Sequence, residues 1–421
     1  MTSGNNGGYL IYKMKKLIYL DHAATTPLDS KVKAAMEPFW SKNFGNPSSI
    51  YQAGIAAKEA LSQARNKIAE ILSAKASEII FTAGGTESAN LAILGVSRAL
   101  APSLPKDKKP GHIITTRIEH PAVLNSILAL KEEGISFTAL PVDKYGLINL
   151  EQIKKAVKPE TILISIMYAN NEIGTIEPIA EIGKLLKKIN KERKNNKLPK
   201  IYFYTDACQA AGYLDLNVEK LAVDLLTLNG SKIYGPKGSG ILYVRAGTPL
   251  KPLIFGGGQE NGRRSGTENA PAYIGLAKAL ELVQKNKDQE SKRLKKLSQK
   301  LIDGILKTIP KTFLNGHPEK RLPNNVSITI LDIEGEALLL YLDRYGICVS
   351  TGSACHSQTL EPSHVLQAIG LPREIIHGSL RLTLGKKTTN KDIDYVLKVL
   401  PGIVKKLRQL SPVQILYERK D

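Results

Sequence analysis

The sequence predicts an α/β fold in which a large domain, built on a mostly parallel β-sheet, is joined to a smaller α+β domain. Between residues 78 and 245, short apolar runs typical of buried strands alternate with segments that have helical spacing. After Val244 this alternation ends, and a long Gly-rich loop follows at 255–271. We therefore expect the boundary between the two domains near residue 271.

The spacing of the apolar residues predicts the strands and helices up to residue 245. Continuous apolar runs of this length predict strands that are covered on both faces of the sheet. We predict strands at 17–20, 78–82, 112–116, 135–140, 161–167, 201–205 and 223–228, and helices at 55–72 and 121–133. A loop rich in Pro and Lys is expected at 98–111.

The elements after residue 271 have a different order. We predict one long helix over 273–309, strands at 325–331, 347–349 and 379–384, and a last helix from 390 to about 409. Strands separated by helices in this way are typical of a small α+β domain.

The composition bounds the classes of protein to consider. The chain has 421 residues, a formal net charge of +20 and 42% hydrophobic residues, which is ample for a large core and two domains. The excess of positively charged residues could bind nucleic acid or an acidic protein partner. The densest basic run, at 187–200, has no interleaved aromatic residues, so we favour a solvated surface and keep a nucleic-acid-binding module as a distant alternative.

The cysteines and the N-terminal sequence indicate the cellular compartment of the protein. There is no apolar run long enough to cross a bilayer and no signal-peptide pattern. Cys208, Cys348 and Cys355 form no CxxC pattern and no zinc spacing with histidines, so we expect no metal site and a reducing cytoplasm. Met14 would be a natural start, and we expect residues 1–16 to be a disordered extension.

Two polar residues follow predicted buried strands. Asp206 comes after the strand at 201–205, and Lys232 comes after the strand at 223–228. Residues beyond the carboxyl ends of such strands line the ligand crevice, so both side chains are expected in one pocket. Pyridoxal phosphate needs this pair, since a Lys binds it as a Schiff base and a carboxylate pairs with its ring nitrogen. The spacing alone is weak evidence, because an Asp after a strand often only caps a helix.

Other polar residues also follow strands of the predicted sheet. The strand at 78–82 runs into a glycine turn and a helix that begins near Gly85 and Thr86, where free N–H groups and the helix dipole would favour an anion. Taken alone, this segment is more simply a plain helix cap. His120 and Asn171 also follow strands and could face a ligand, although a lone His at a strand end is more often a cap.

A thiol and a guanidinium stand out in the C-terminal part. Cys355 lies in a polar, Gly/Ser-rich loop, where exposure beside N–H donors and cations favours a nucleophilic thiolate. We expect residues 351–362 to carry this thiol between a buried cofactor and the surface. Cys208 and Cys348 fit small buried hydrophobes. Arg381 lies in a strand near the domain junction and suits bidentate capture of a carboxylate, with a surface ion pair as the simpler alternative.

Together these segments resemble the cysteine desulfurases, which are pyridoxal-phosphate enzymes of the class V aminotransferase family, and in particular the NifS/IscS-like subgroup. The resemblance covers about residues 17–410. It rests on YLDHAATTP, FGNPSS, FTAGGTESANLAI, EHPAVL, NNEIGTIEPI, TDACQ, KIYGPKGSG, RSGTEN, STGSACHS, LEPSHVL and SLRLTLG, in this order. It implies transferase fold type I and a homodimer, with a large cofactor-binding domain at 27–270 and a small domain formed by 17–26 and 271–421.

The resemblance implies roles around the cofactor ring. Lys232 would hold pyridoxal phosphate covalently and later move the proton of the substrate Cα. Asp206 would pair with the ring nitrogen, and Gln209 would bind the phenolic oxygen. His120 would stack on the ring and assist proton transfer.

The resemblance also implies a phosphate site with one unusual residue. Gly85 and Thr86 would bind the phosphate, and Thr267 would reach it from the partner subunit. The family usually has Ser-x-His before the cofactor lysine, whereas this chain has Asn229, Gly and Ser231. Both side chains can donate hydrogen bonds, but the imidazole is missing.

The implied reaction converts L-cysteine to L-alanine and leaves a persulfide on Cys355. Asn171 and Arg381 would hold the substrate carboxylate. The sulfur would pass to a protein acceptor, such as an iron–sulfur scaffold or a tRNA-thiolation enzyme. Selenocysteine lyase or another class V activity stays open as the alternative, although an aminotransferase has no need of Cys355.

Overall fold

The structure is a computed structural model that describes residues 17–100, 111–351, 362–411, 415 and 417. The predicted extension at 1–16 and the predicted thiol loop around Cys355 lie outside these residues.

The described chain alternates strands and helices. The strands are β1 (Ile18–Tyr19), β2 (Ile79–Thr82), β3 (His112–Thr116), β4 (Ser136–Leu140), β5 (Thr161–Ser165), β6 (Tyr202–Asp206), β7 (Leu225–Asn229), β8 (Gly240–Val244), β9 (Thr312–Leu314), β10 (Asn325–Ile330), β11 (Ile347–Cys348) and β12 (Ser379–Thr383). The α-helices are α1 (Ser30–Met36), α2 (Pro38–Ser41), α3 (Gln52–Leu72), α4 (Gly85–Leu100), α5 (Pro121–Glu132), α6 (Leu150–Ala156), α7 (Ile179–Asn195), α8 (Val218–Leu221), α9 (Ala270–Thr308), α10 (Gly335–Arg344), α11 (His364–Ala368), α12 (Arg373–Ile376) and α13 (Asn390–Leu410).

A seven-stranded sheet forms the centre of the larger part, in the order β2-β8-β7-β6-β5-β3-β4. Only β8 runs against its neighbours β7 and β2, and the other pairings are parallel. β2, β3, β5 and β8 are buried along their whole length, as expected for strands covered on both faces. The predicted α/β class with a mostly parallel sheet is confirmed.

The C-terminal part contains a three-stranded antiparallel sheet in the order β12-β10-β9. Beside it, β1 pairs in parallel with β11, so that Ile18 lies opposite Ile347. Ile18 and Leu20 are buried in the apolar core of this part. The start of the described chain therefore packs against segments close to its end.

The long helix α9 packs into two separate cores. Tyr273, Leu276 and Leu280 in its first half lie in the core of the seven-stranded sheet. Leu294 and Leu301 in its second half lie in the core that also holds β10 and β12. The predicted domain boundary near residue 271 stays a prediction, and α9, which begins at Ala270, runs from that point through both cores.

Most element bounds lie within three residues of the predicted ones. The predicted loop at 98–111 is shorter at its start, because α4 continues to Leu100, and residues 101–110 are outside the described chain. None of the helices that the structure describes has both the length and the apolar character needed to cross a bilayer.

Candidate active site

The carboxyl ends of the parallel strands open into a cavity of about 350 Å³. The residues that line it come from the loops after β1, β2, β3, β5, β6 and β7 and from β12. They are Ala23, Ala24, Gly85, Thr86, His120, Ala122, Met167, Ala169, Asn171, Asp206, Cys208, Gln209, Asn229, Lys232 and Arg381. Nine of the predicted site residues thus share one cavity, at the edge of the sheet where ligands of open α/β folds bind.

A second, wider cavity of about 750 Å³ adjoins the first. Gly85, Thr86 and Asn229 line both, and the predicted residue Ser231 lines the second. Thr267 is not among the described residues that line either cavity. Cys355 lies outside the described residues.

The amine of Lys232 is held in the first cavity by backbone carbonyls. Its Nζ donates to the oxygen of Ala24 at 2.6 Å and to that of Ala23 at 2.9 Å. Lys232 ends a short 3-10 helix, which Asn229 caps by accepting from the N–H of Ser231. The loop after β1 therefore holds the amine beside the cavity.

Asp206 is the last residue of β6 and orients the turn that follows it. Its Oδ1 accepts from the backbone N–H of Cys208 at 2.9 Å. Burial, together with the charge of Asp206, raises the pKa of the Cys208 thiol well above its usual range. Burial thus favours the neutral thiol of Cys208, which lines the cavity. Gln209 also lines the cavity and donates to the carbonyl oxygen of Ala23 at 3.0 Å.

The first residue of α4 has little room for a side chain. A Cβ on Gly85 would lie 3.0 Å from the Sγ of Cys208 and 3.3 Å from the Nδ2 of Asn229. The first N–H groups of an α-helix have no partner within the helix, and the helix dipole adds positive potential there. Gly85 and Thr86 thus form a cradle that suits a phosphate group.

These groups fit pyridoxal phosphate on the chemistry that they offer. The cradle at Gly85 offers N–H groups to a phosphate, Lys232 offers a primary amine, and Asp206 offers a carboxylate to a ring nitrogen. All three groups line one cavity, at the end of the sheet where the cofactor was predicted.

His120 caps the helix that follows β3. Its Nδ1 accepts from the backbone N–H of Ala122 at 3.1 Å, so in the neutral ring the hydrogen is on Nε2. The cap was the simpler alternative for this histidine, and the structure shows that the residue both caps α5 and lines the cavity.

Arg381 is fixed by two neighbours on one side of the cavity. Its Nη2 lies 2.9 Å from the Oδ1 of Asp21, and its Nη1 donates to the carbonyl oxygen of Asn171 at 3.1 Å. Within the described part of the chain, its buried Nε has no hydrogen-bond partner. A buried donor without a partner is costly, so this guanidinium suits an anionic ligand.

Sequence reasoning missed three acidic residues beside the site. Asp21 pairs with Arg381, and Glu119 and Glu172 are buried next to His120 and Asn171. Burial raises the pKa of Glu119 to about 8 and that of Glu172 to about 7. For Glu119 and Glu172 the available signal was their position next to His120 and Asn171 in the sequence.

Comparisons with known proteins agree with this geometry. The family described as Aminotransferase class-V matches residues 18–396. A cysteine desulfurase IscS of Methanosarcina thermophila is 51% identical over 413 residues, covering 98% of each chain. A protein of the same name from Dictyoglomus turgidum is 50% identical over 399 residues, covering 95% of this chain and 97% of that protein.

A solved structure titled NIFS-like protein superimposes on this chain with a TM-score of 0.84 at 38% identity. The match covers 93% of this chain and 100% of that one. The cavity, its lysine and its phosphate cradle thus occur in a fold that such a protein shares. The chain belongs to the class V aminotransferase family, whose members use pyridoxal phosphate.

Proposed function

We propose that this protein is a cysteine desulfurase, which converts L-cysteine to L-alanine and holds the sulfur as a persulfide on Cys355. The observation that carries the proposal is the single cavity that holds Lys232, Asp206 and Arg381 together. These supply a cofactor amine, a partner for the ring nitrogen and a carboxylate-binding cation. The relatives named cysteine desulfurase support it over almost the whole chain.

Bound pyridoxal phosphate supplies an electron sink for the bonds that break in the substrate. Lys232 would hold the cofactor, and its Nζ would move the proton of the substrate Cα. Asp206 would keep the ring nitrogen protonated, Gln209 would serve the phenolic oxygen, and His120 would assist proton transfer.

The phosphate group is assigned to the cradle at the start of α4. Gly85 and Thr86 would bind it through backbone N–H groups, and Asn229 and Ser231 line the same region. The Oγ of Ser231 donates to the Oδ1 of Asn229 at 3.0 Å, which leaves the amide of Asn229 as the hydrogen-bond donor toward the cradle. This amide takes the place of the missing imidazole.

We propose a homodimer in which Thr267 of the partner subunit completes the phosphate site. Large apolar side chains are exposed on two loops, with Phe44 73%, Ile50 94% and Phe255 80% accessible. Large exposed apolar side chains are typical of interaction surfaces, and the proposed second copy would cover them. Phe255 begins the same Gly-rich loop that carries Thr267.

Arg381 and Asn171 bind the substrate carboxylate, and Cys355 takes the sulfur. The Cys355 thiolate forms an S–S bond to the sulfur of cysteine while the bond from that sulfur to Cβ breaks. The bonding pair stays with the carbon, which is protonated to the methyl group of alanine. Cysteine and one protein thiol thus become alanine and one protein persulfide, with both sulfurs oxidised and the carbon reduced.

For the final acceptor of the sulfur, we propose a class of protein. A persulfide is suited to delivery to a protein, such as an iron–sulfur scaffold or a tRNA-thiolation enzyme. Cys355 must be a reduced thiol at the start of each turnover, and a reducing compartment keeps it so. We therefore also propose that the protein works in the cytoplasm. Selenocysteine is the alternative substrate, because the same carboxylate site and the same cofactor chemistry serve it.

The test is a turnover experiment with the purified, cofactor-loaded protein. L-cysteine should yield alanine and a persulfide that alkylation and mass spectrometry locate on Cys355. Cys355→Ser should still bind cysteine but form no persulfide, whereas Cys348→Ser should retain both products. Absence of alanine from the wild type, or a value of kcat/KM far higher with selenocysteine, would contradict the assignment.

A further inference from the structure

An ion pair lies beside the phosphate cradle that Gly85 and Thr86 form. Glu87 is the next residue of α4, and its Oε2 accepts from the backbone N–H of Ala83 at 2.8 Å. Its Oε1 accepts from the Nε of Arg264 at 2.8 Å, and both side chains of this pair are mostly buried. The carboxylate of Glu87 therefore lies along the turn that leads into the cradle.

This carboxylate has opposite effects on the helix and on a phosphate ligand. A negative charge in the first turn of a helix is favourable, because it interacts with the positive end of the helix dipole. A phosphate monoester carries about two negative charges at neutral pH, so the same carboxylate repels it. Among the described residues that line the second cavity, Glu87 is the only acidic one. Without a counter-charge, Glu87 would weaken binding of phosphate in the cradle.

Arg264 is held near the cradle by contacts that do not involve Glu87. Glu260, in the same Gly-rich loop, accepts from both Nη atoms of Arg65, at 2.7 and 2.6 Å. The Oε2 of Glu260 also accepts from the backbone N–H of Phe81 in β2 at 2.9 Å. These contacts fix the loop to the edge of the sheet four residues before Arg264. They also give Glu260 a counter-charge of its own, so the charge of Arg264 is left to compensate Glu87.

Resting on the placement of the cofactor phosphate in the proposed function, we propose that Arg264 is a positioning residue for pyridoxal phosphate, which acts by neutralising Glu87. Glu87 keeps its contact with the turn before α4, while Arg264 keeps the electrostatic potential of the cradle positive. The role depends on the two charges and not on anchoring of the loop. The sign of the effect of each charge change can therefore be predicted.

The test measures the dissociation constants of pyridoxal phosphate and of pyridoxal, which lacks the phosphate, by equilibrium dialysis of the cofactor-free protein. Arg264→Met keeps most of the length of the side chain but not its charge, so the Kd of pyridoxal phosphate should rise about tenfold. The Kd of pyridoxal should stay within about twofold of the wild type, because no phosphate is present to be repelled. Arg264→Lys keeps the charge, and both constants should stay within about threefold of the wild type.

Changing Glu87 separates charge compensation from anchoring. Glu87→Gln removes the negative charge and keeps an oxygen that can accept from Ala83, so pyridoxal phosphate should bind as tightly as before or more tightly. In Arg264→Met/Glu87→Gln the pair is again neutral, and the Kd of pyridoxal phosphate should return to within about threefold of the wild type. If the pair mainly anchored the loop, Glu87→Gln would weaken binding and the double variant would be no better than Arg264→Met.

Arg98→Met is the matched control, because Arg98 pairs with Glu133 at the other end of α4. It should leave both dissociation constants near those of the wild type. No loss of pyridoxal phosphate binding in Arg264→Met, an equal loss for pyridoxal, or weaker binding in Glu87→Gln would overturn the proposal. If the wild type binds the two compounds equally well, the phosphate does not occupy the cradle, and that part of the proposed function fails instead.

Discussion

The side-chain amine of Lys232 lies 2.6 Å from the carbonyl oxygen of Ala24. Ala24 belongs to the segment that follows β1, and β1 pairs with β11 in the C-terminal part of the chain. The amine must leave this carbonyl when it binds a cofactor. The loop after β1 therefore provides a resting place for the amine and a wall of the site.

Replacing Lys232 should abolish covalent attachment of pyridoxal phosphate. In Lys232→Ala, incubation with the cofactor followed by borohydride should leave no cofactor on the protein, because no other amine lines the first cavity among the described residues. Mass spectrometry of the reduced protein measures this. Lys131→Ala, which changes an exposed lysine of α5, should label as the wild type does. A reduced adduct at full occupancy in Lys232→Ala would refute the assignment.

Arg381→Lys should weaken binding of cysteine without much effect on the chemical step. The guanidinium is oriented by Asp21 and by the carbonyl oxygen of Asn171, and a lysine cannot reproduce a two-pronged contact with a carboxylate. We expect KM for cysteine to rise about 10–100-fold while kcat changes by less than about threefold. Arg408→Lys, at another arginine that donates to backbone carbonyls, should leave KM unchanged. A loss confined to kcat would argue against carboxylate binding.

Thr267→Ala should weaken retention of the cofactor but leave the dimer intact. The change removes one proposed phosphate contact from the partner and no apolar surface, so the dissociation constant for pyridoxal phosphate should rise about tenfold. Equilibrium dialysis measures the affinity, and sedimentation measures the mass. Thr308→Ala, at the end of α9, serves as the control. Unchanged affinity would count against a site shared between subunits.

His112 should make the fold less stable in acid. Its two ring nitrogens contact the hydroxyls of Thr161 and Thr138, and burial lowers its pKa to about 4. The folded ring stays neutral between about pH 6.5 and 4, whereas the unfolded chain takes up a proton there. The unfolded state thus binds more protons, and the free energy of unfolding falls as the pH falls through this window.

Urea unfolding at several pH values checks this expectation. The free energy of unfolding should fall less steeply with decreasing pH in His112→Gln than in the wild type. His377→Gln, which changes an exposed histidine, should follow the wild type. Equal slopes in all three proteins would show that His112 does not contribute.

Much of the sheet and the centre of the site could be predicted from the sequence. Apolar runs marked the buried strands, and Asp206 and Lys232 follow two of them, so their meeting in one cavity followed from strand order. β8 was not among the predicted strands, and its reversed direction leaves no sequence signal, because the period of a buried strand is the same in either direction.

The contacts that complete the site could not be predicted from sequence patterns. The carbonyl oxygens of Ala23 and Ala24 hold Lys232, but backbone groups are the same in every residue and leave no signature. The pairing of Asp21 with Arg381 joins residues far apart in the chain, and no local period reports such a contact.

The pairing of Ile18 with Ile347 has a consequence for how the protein is made. At about 5–20 residues per second, a ribosome completes β1 some 15–60 s before it has made the strand with which β1 pairs. During that interval the seven-stranded sheet can form and Thr26 can contact Ser231 and Tyr234, but the start of the loop that holds Lys232 lacks the pairing of β1 with β11. A nascent chain can therefore mature into an enzyme only near the end of translation.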